Sequence, residues 1–336
     1  IMLLGNNLGS RMMNYGHFET ELQLRYPEHQ LFVRNMCDGG DTPGFRPHAS
    51  RFLPWAFPGA EKFQTELATN SGSEGHFETP DQWLTRLKAD VIVAFFGYNE
   101  SYGGRAGLSN YKAELDAFVK WTLKQKYNGV SAPQLALVSP IAFEDLSDRY
   151  DLPNGKSENE NLLLYTDAMR EVARQNNVLF IDAFTPSKQW YADSSEPLTI
   201  DGFQLNDEGY RKLSLLLADQ LFGKTSTSAE ANRALVQAAV LEKDWMWHND
   251  YKIPNGVHAY GRRYNPFGPD NYPAEIEKIR QMTAIRDTAI WLAVKGQKMD
   301  IAAADQRTRP LPPVKTNFNP EKNGSLTYLY GQDALA

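Results

Sequence analysis

Cysteine is almost missing from this 336-residue sequence. Cys37 stands alone, which excludes an intramolecular disulfide framework and a metal site built on paired cysteines. Long apolar runs are missing too. Nothing approaches the roughly 20 consecutive residues a helix needs to cross a bilayer, so no membrane span is expected. Positive charge is in deficit, with 35 Lys and Arg against 41 Asp and Glu and a formal charge of -6. No basic cluster interrupts that balance, so nucleic acid is not an expected partner. His-x-x-x-His and Cys-x-x-Cys pairs are also lacking. Only a convergence of Asp38, Asp41 and Asp201 would hold a cation, and no metal or cofactor is expected.

What is present is 42% apolar residues, enough for one good-sized core and an appendage. Short apolar runs at Ile1–Leu4, Leu31–Val33, Val91–Phe96, Leu135–Val138 and Val178–Ile181 read as strands buried on both faces. Between and after them, Arg11–Tyr26, Tyr111–Lys126, Asn159–Asn176 and Asp207–Phe222 carry apolar residues three and four apart, the period of a helix with one buried face. Ser157 with Glu160 has the spacing of a capping box, and Asn206 suits the N-cap of the last helix. Alternation of this kind predicts an α/β fold: a flavodoxin-like, doubly wound, parallel five-stranded sheet with its ligands at the carboxyl ends of the strands.

From Thr225 the alternation stops. Helical stretches at about Ser228–His248 and Pro273–Lys295 flank a loop rich in Tyr, Asn, Gly, Pro and Arg, and Trp245, Trp247 and Trp291 read as packing residues of a C-terminal helical appendage. The expected organisation is an α/β domain over 1–224, a helical hairpin over 225–300 and an extended, proline-rich linker over 301–336. The chain opens on Ile1 inside a strand-like run. That start and the linker-like end read as a piece of a longer protein, covalently linked to further domains.

The loops after four strands carry a signature. Gly5-Asn6-Asn7-Leu8 follows the first, Asn35-Met36-Cys37-Asp38-Gly39-Gly40-Asp41 the second, Gly97-Tyr98-Asn99-Glu100-Ser101 the third, and Thr199-Ile200-Asp201-Gly202-Phe203-Gln204-Leu205-Asn206 the fifth. In order and spacing these resemble the conserved blocks of the SGNH (GDSL-type) hydrolase family over residues 1 to 222: Gly-Asp-Ser-Leu, Asn-x-Gly-x-x-Gly, Gly-x-Asn-Asp and Asp-x-x-His. The resemblance implies the SGNH fold and acyl-transfer chemistry. In that chemistry a serine attacks an ester carbonyl, a histidine held by an aspartate takes the proton, and backbone and Asn donors stabilise the oxyanion. It assigns oxyanion positions to Gly40 and Asn99 and the orienting position to Asp201. It also implies export to the periplasm or the extracellular space.

Two positions depart from the pattern: Asn7 stands where the family has serine, and Gln204 where it has histidine. A carboxamide is neither nucleophilic nor basic at neutral pH, so this pair cannot form and resolve an acyl-enzyme in the usual way. Three readings follow. The first is a catalytically inactive or altered domain that keeps a cleft for a small acylated or carbohydrate ligand. The second is an active carbohydrate esterase with recruited groups. Ser10 or Ser101 would serve as its hydroxyl, and its base would come from His17, His29, His48, His76, His248 or His258, with His258 favoured as a ligand-side residue of the appendage loop. The third is a structural or interaction module. Arg262 and Arg263 beside Tyr260 and Tyr264 suit a carboxylated or sulfated sugar.

Overall fold

A computed structural model describes residues 1–48, 50–64, 75–225, 230–254, 256–261 and 263–313. At its centre five parallel strands, β1 (Met2–Gly5), β2 (Arg34–Asn35), β3 (Val91–Phe95), β4 (Gln134–Val138) and β5 (Leu179–Ile181), lie side by side in the order β2-β1-β3-β4-β5. This is the expected flavodoxin-like order. The chain winds outward in both directions from β1 and β3, so the loops after those two strands face each other across the crevice where such sheets bind ligands.

Alternation along the strands divides the core into two layers. Leu4, Ile92, Ala94, Leu135 and Leu137 point to one face, where Leu115, Phe118, Tyr165 and Met169 cover them from the helices Gly104–Thr122 and Lys156–Gln175. Leu3, Val93, Phe95, Ala136, Val138 and Ile181 point to the other, against Phe18 and Leu22 of the helix His17–Arg25 and Leu213 and Leu217 of the helix Asp207–Phe222. The central strands are apolar at most positions, as two covered faces require, whereas the edge strand β2 is formed by Arg34 and Asn35, just beyond the apolar run Leu31–Val33 expected to form it.

Local differences from the sequence reading have local causes. Gly16, at φ 68°, splits the expected helix Arg11–Tyr26 into a 3₁₀ turn, Arg11–Asn14, and the helix His17–Arg25. The capping box at Ser157 does not form. Gly155 turns the chain at φ 72° one residue before Lys156, and the Ser157 hydroxyl donates to its neighbour Glu158. Asn206 does cap its helix, accepting from the Gly209 amide at 3.0 Å. Residues 301–305, expected in a linker, form the short helix Ile301–Asp305, and Asp305 pairs with Arg286 at 2.9 Å. Residues 314–336 lie outside the described residues.

The appendage helices Arg233–Tyr251 and Tyr264–Val294 pack on the open edge of the sheet beside β2. Successive outward carbonyls of that edge are each met by an appendage side chain. Leu31 O accepts from the Trp291 indole at 3.2 Å, Val33 O from Lys243 Nζ at 3.2 Å, and Asn35 O from the Trp247 indole at 2.7 Å. An unpaired strand edge is thereby sealed. Lys243, fully buried, is balanced by Glu19 and Asp244, each at 2.5 Å, and Arg34 is gripped at both amines by Asp287 at 2.8 and 2.5 Å. Trp247 and Trp291 thus pack as expected, while Trp245 is 62% exposed.

Candidate functional site: an amide relay at the strand ends

The backbone ladder places the first two loops. Asn6 N donates to Phe95 O at 2.9 Å and Asp38 N to Gly5 O at 2.8 Å, so the loops after β1 and β2 leave the sheet together. Gly5 has to be glycine: φ is 118°, and a Cβ would stand 2.0 Å from Phe95 O. Asn6 then caps the one-turn helix Asn7–Ser10, its side chain accepting from the Leu8 amide at 3.1 Å. Asn7 is the first residue of that turn.

Across the crevice, the loop after β5 folds into a tight turn. Thr199 pairs with Leu205 as an isolated bridge, Gly202 adopts φ 94°, and Asp201 Oδ1 accepts from the amides of Phe203 and Gln204 at 3.2 and 2.8 Å. The turn aims Gln204 at Asn7. Gln204 Nε2 donates to Asp201 Oδ2 at 2.6 Å, and Asn7 Nδ2 faces Gln204 Oε1 at 3.5 Å, a long contact. The three side chains stand in the order nucleophile, base, orienter, with carboxamides in the first two places. Gln204 offers its oxygen, an acceptor, to Asn7, and its nitrogen, a donor, to the aspartate.

The oxyanion positions are disposed differently from the expectation. Asn99, in the one-turn helix Tyr98–Ser101, directs Nδ2 at the carbonyls of Gly39 and Asp41, both at 3.0 Å. Both amide hydrogens therefore hold the loop after β2, and neither is left for an oxyanion. Gly40 lies exposed on that loop, whose turn is closed by the Asp41 amide donating to Asp38 O at 3.0 Å. Asp41 is buried beside Arg46, 3.7 Å away, and burial outweighs that cation, pushing its carboxyl up to about 8. Asp38 and Asp41 do not converge with Asp201, and among the described residues no group of acidic, His or Cys side chains is arranged to hold a metal ion.

A small pocket opens beside the relay. Asn7, Arg11, Phe95, Tyr98, Phe203, Gln204 and Tyr210 contribute to its wall, and the space open to the centre of a water is about 20 Å³, room for one such molecule. At its mouth Tyr98 stacks on Phe203, centroids 4.8 Å apart, and meets the exposed Tyr102 edge-on. Arg11 Nη2 donates to the Tyr15 hydroxyl at 3.3 Å, while Arg11 Nε is buried without a partner.

The groups considered as recruits are placed as follows. Ser101 Oγ donates to Tyr98 O at 2.7 Å, as a turn residue does. Ser10 Oγ accepts from Lys252 Nζ at 3.0 Å, and the same ammonium pairs with Asp38 at 3.4 Å. His17 contacts Asp207 at 2.9 Å, and His29 packs edge-on against Tyr26. His76 lies over Tyr264. His48 stacks on Phe77 at 3.8 Å, and burial lowers it to about 4. Burial also lowers His248. His258 is half-buried in the turn Gly256–Ala259 and does not line the pocket beside Asn7. Arg262 lies outside the described residues. Two site residues escaped the sequence reading. Arg11, four positions after Asn7 and hence on the same face of the turn, had a local signal; Lys252, brought in from the appendage, had none.

Residues 40–212, more than half the chain, match the model of the GDSL-like lipase/acylhydrolase family, and the chain belongs to that family. The match takes in Gly40, Asn99, Asp201 and Gln204. No curated protein matches the sequence. Among solved structures it is similar to a mutant of Axe2, an acetylxylan esterase from Geobacillus stearothermophilus (14% identity, TM-score 0.44, 66% of this chain and 94% of that one). It is also similar to LAE5, an α/β hydrolase enzyme from the metagenome of Lake Arreo, Spain (14%, 0.45, 67% and 95%), and to the acetyl xylan esterase AlAXEase (16%, 0.41, 65% and 98%).

Proposed function

We propose that this GDSL-like domain holds a small acylated or carbohydrate ligand beside Asn7 without hydrolysing it. The observation that carries the reading is the chain Asn7–Gln204–Asp201, in which two carboxamides take the nucleophile and base positions and are bonded to each other and to the retained aspartate. Serine and histidine act as a unit, so replacing both removes covalent catalysis. An amide neither attacks a carbonyl nor takes up a proton at neutral pH. Asn99, tied to two carbonyls, adds nothing to an oxyanion in this arrangement.

An active esterase built on Ser10 is the second reading, favoured by the Lys252 amine 3.0 Å from its hydroxyl. The geometry weighs against it, because Lys252 Nζ is also paired with Asp38 at 3.4 Å, and an ammonium in such a pair has no lone pair to accept a proton.

Hydrolysis of p-nitrophenyl acetate and an acetylated oligosaccharide by the purified chain decides between them. We expect no turnover above background from the unaltered chain and from Ser10→Ala, and a gain of at least tenfold in Asn7→Ser/Gln204→His that Asp201→Ala abolishes. Turnover by the unaltered chain that Ser10→Ala removes would overturn the reading in favour of the recruited serine.

A further inference from the structure

We propose that Arg11 makes the pocket beside Asn7 a receptor for a carboxylate, carried by a short organic acid or by an acidic sugar. The proposal rests on the reading that the site holds a ligand without turning it over, and it names that ligand's charge.

Arg11 lines the pocket together with Asn7, Tyr98, Phe203 and Gln204. A guanidinium carries five N–H donors and a full positive charge. Here the guanidinium meets the neutral hydroxyls of Tyr15, at 3.3 Å from Nη2, and of Tyr210, and Nε is buried with no acceptor. Among the described residues no carboxylate pairs with it. Three more deeply buried arginines meet carboxylates closely, Arg25 with Glu21 at 2.7 Å, Arg34 with Asp287 at 2.5 Å and Arg286 with Glu242 at 2.9 Å, while Arg46 has Asp41 at 3.7 Å and two nitrogens without an acceptor. A part-buried cation without a counter-ion costs stability, and the arrangement is favourable once an anion arrives.

The rest of the wall suits that anion. The carboxylate of the relay, Asp201, accepts from two backbone amides and from Gln204 Nε2, so its oxygens are engaged away from Arg11. Asn7 and Gln204 are neutral, so no imidazole or nucleophile contests the site. The enclosed space beside Arg11 is small, so at most one oxygen of a carboxylate enters it while the rest of the group stays at the mouth. Anything larger must lie outside, against the Tyr98–Phe203 stack and the exposed Tyr102.

The test is a calorimetric titration of the full chain at low ionic strength with sodium acetate and sodium glucuronate. Acetamide and methyl glucoside serve as neutral counterparts, and an acetylated xylo-oligosaccharide as a neutral ester. We expect the acids to bind at least tenfold more tightly than their neutral counterparts, and added salt to weaken them. Arg11→Gln should lose about tenfold or more of acid affinity, the scale of one charge-assisted hydrogen bond, and Arg11→Lys should keep part of it. Glucuronate binding more tightly than acetate would assign the ligand to acidic sugars, and equal binding to the carboxylate alone. Equal affinity for acids and neutral counterparts, or acid affinity unchanged in a folded Arg11→Gln, overturns the proposal. If Arg11→Gln fails to fold, the comparison of acids with neutral counterparts on the unaltered chain decides alone. Binding of the acetylated oligosaccharide without acid preference discards the carboxylate but leaves the ligand-holding reading intact; no binding by any probe discards both.

Discussion

Glu100 follows Asn99 directly, and its two oxygens are treated unequally: Oε2 accepts from the Gly97 amide at 2.7 Å, while Oε1 is buried without a partner. Burial raises this carboxyl from its ordinary value near 4.5 to about 8. Between those values the folded chain keeps a proton that the unfolded chain has released, so the group's contribution to stability is complete at acid pH and declines as pH rises through 8. Glu100→Gln, always neutral, removes that slope. We expect the midpoint of thermal unfolding of Glu100→Gln, relative to the unaltered chain, to rise from pH 5 to about pH 8 and to level off above it. A difference independent of pH would mean that Glu100 titrates alike in both states. Other groups titrate in the same range, and taking the difference cancels them. Side-chain chemistry was readable at this scale where identity alone decides it: carboxamides at 7 and 204 bar ordinary acyl transfer in any fold. The protonation of Glu100 was not, because it follows from burial.

The turn from Asp201 to Asn206 and the helix Asp207–Phe222 behave as one piece. Asn206 accepts from the Gly209 amide with Oδ1 and donates Nδ2 to Pro197 O at 2.7 Å, so one side chain starts the helix and closes the loop that carries Asp201 and Gln204. Asn206→Ala is expected to lower stability by about 1 kcal/mol or somewhat more, since caps contribute roughly 0.5 to 2 kcal/mol. A shift in the urea midpoint at unchanged slope measures it. An effect indistinguishable from zero would mean that solvent replaces both bonds. This cap was legible because Asn-Asp-Glu before an apolar period is a local signal. Gly155 and Gly16 were harder to place: a glycine permits a left-handed turn without requiring one, and whether the chain turns there depends on what the next element must reach.

At the scale of the molecule, the appendage completes the sheet. Trp291, Lys243 and Trp247 satisfy alternate carbonyls along the edge at Leu31, Val33 and Asn35, and Glu19 and Asp287 balance the charges buried beneath. A chain ending at residue 224 would leave Glu19 without Lys243 and Arg34 without Asp287. Leaving buried ionic partners single is typically worth 3 to 5 kcal/mol. We expect that fragment to be insoluble or to unfold without a cooperative transition by circular dichroism. A soluble fragment with a sharp transition would instead establish residues 1–224 as an independent domain.

The sequence by itself determined the five-stranded parallel order, the two covered faces and the loops that meet at the strand ends, because hydrophobic period and turn residues act locally. It also determined that residues 7 and 204 cannot perform serine–histidine chemistry. Tertiary structure alone decided that Gln204 reaches Asn7, that Asn99 holds a loop, that Lys252 arrives from the appendage, and that Arg11 is left without a carboxylate. Each of these depends on which group lies within about 3 Å across the chain, and spacing along the sequence does not set that distance.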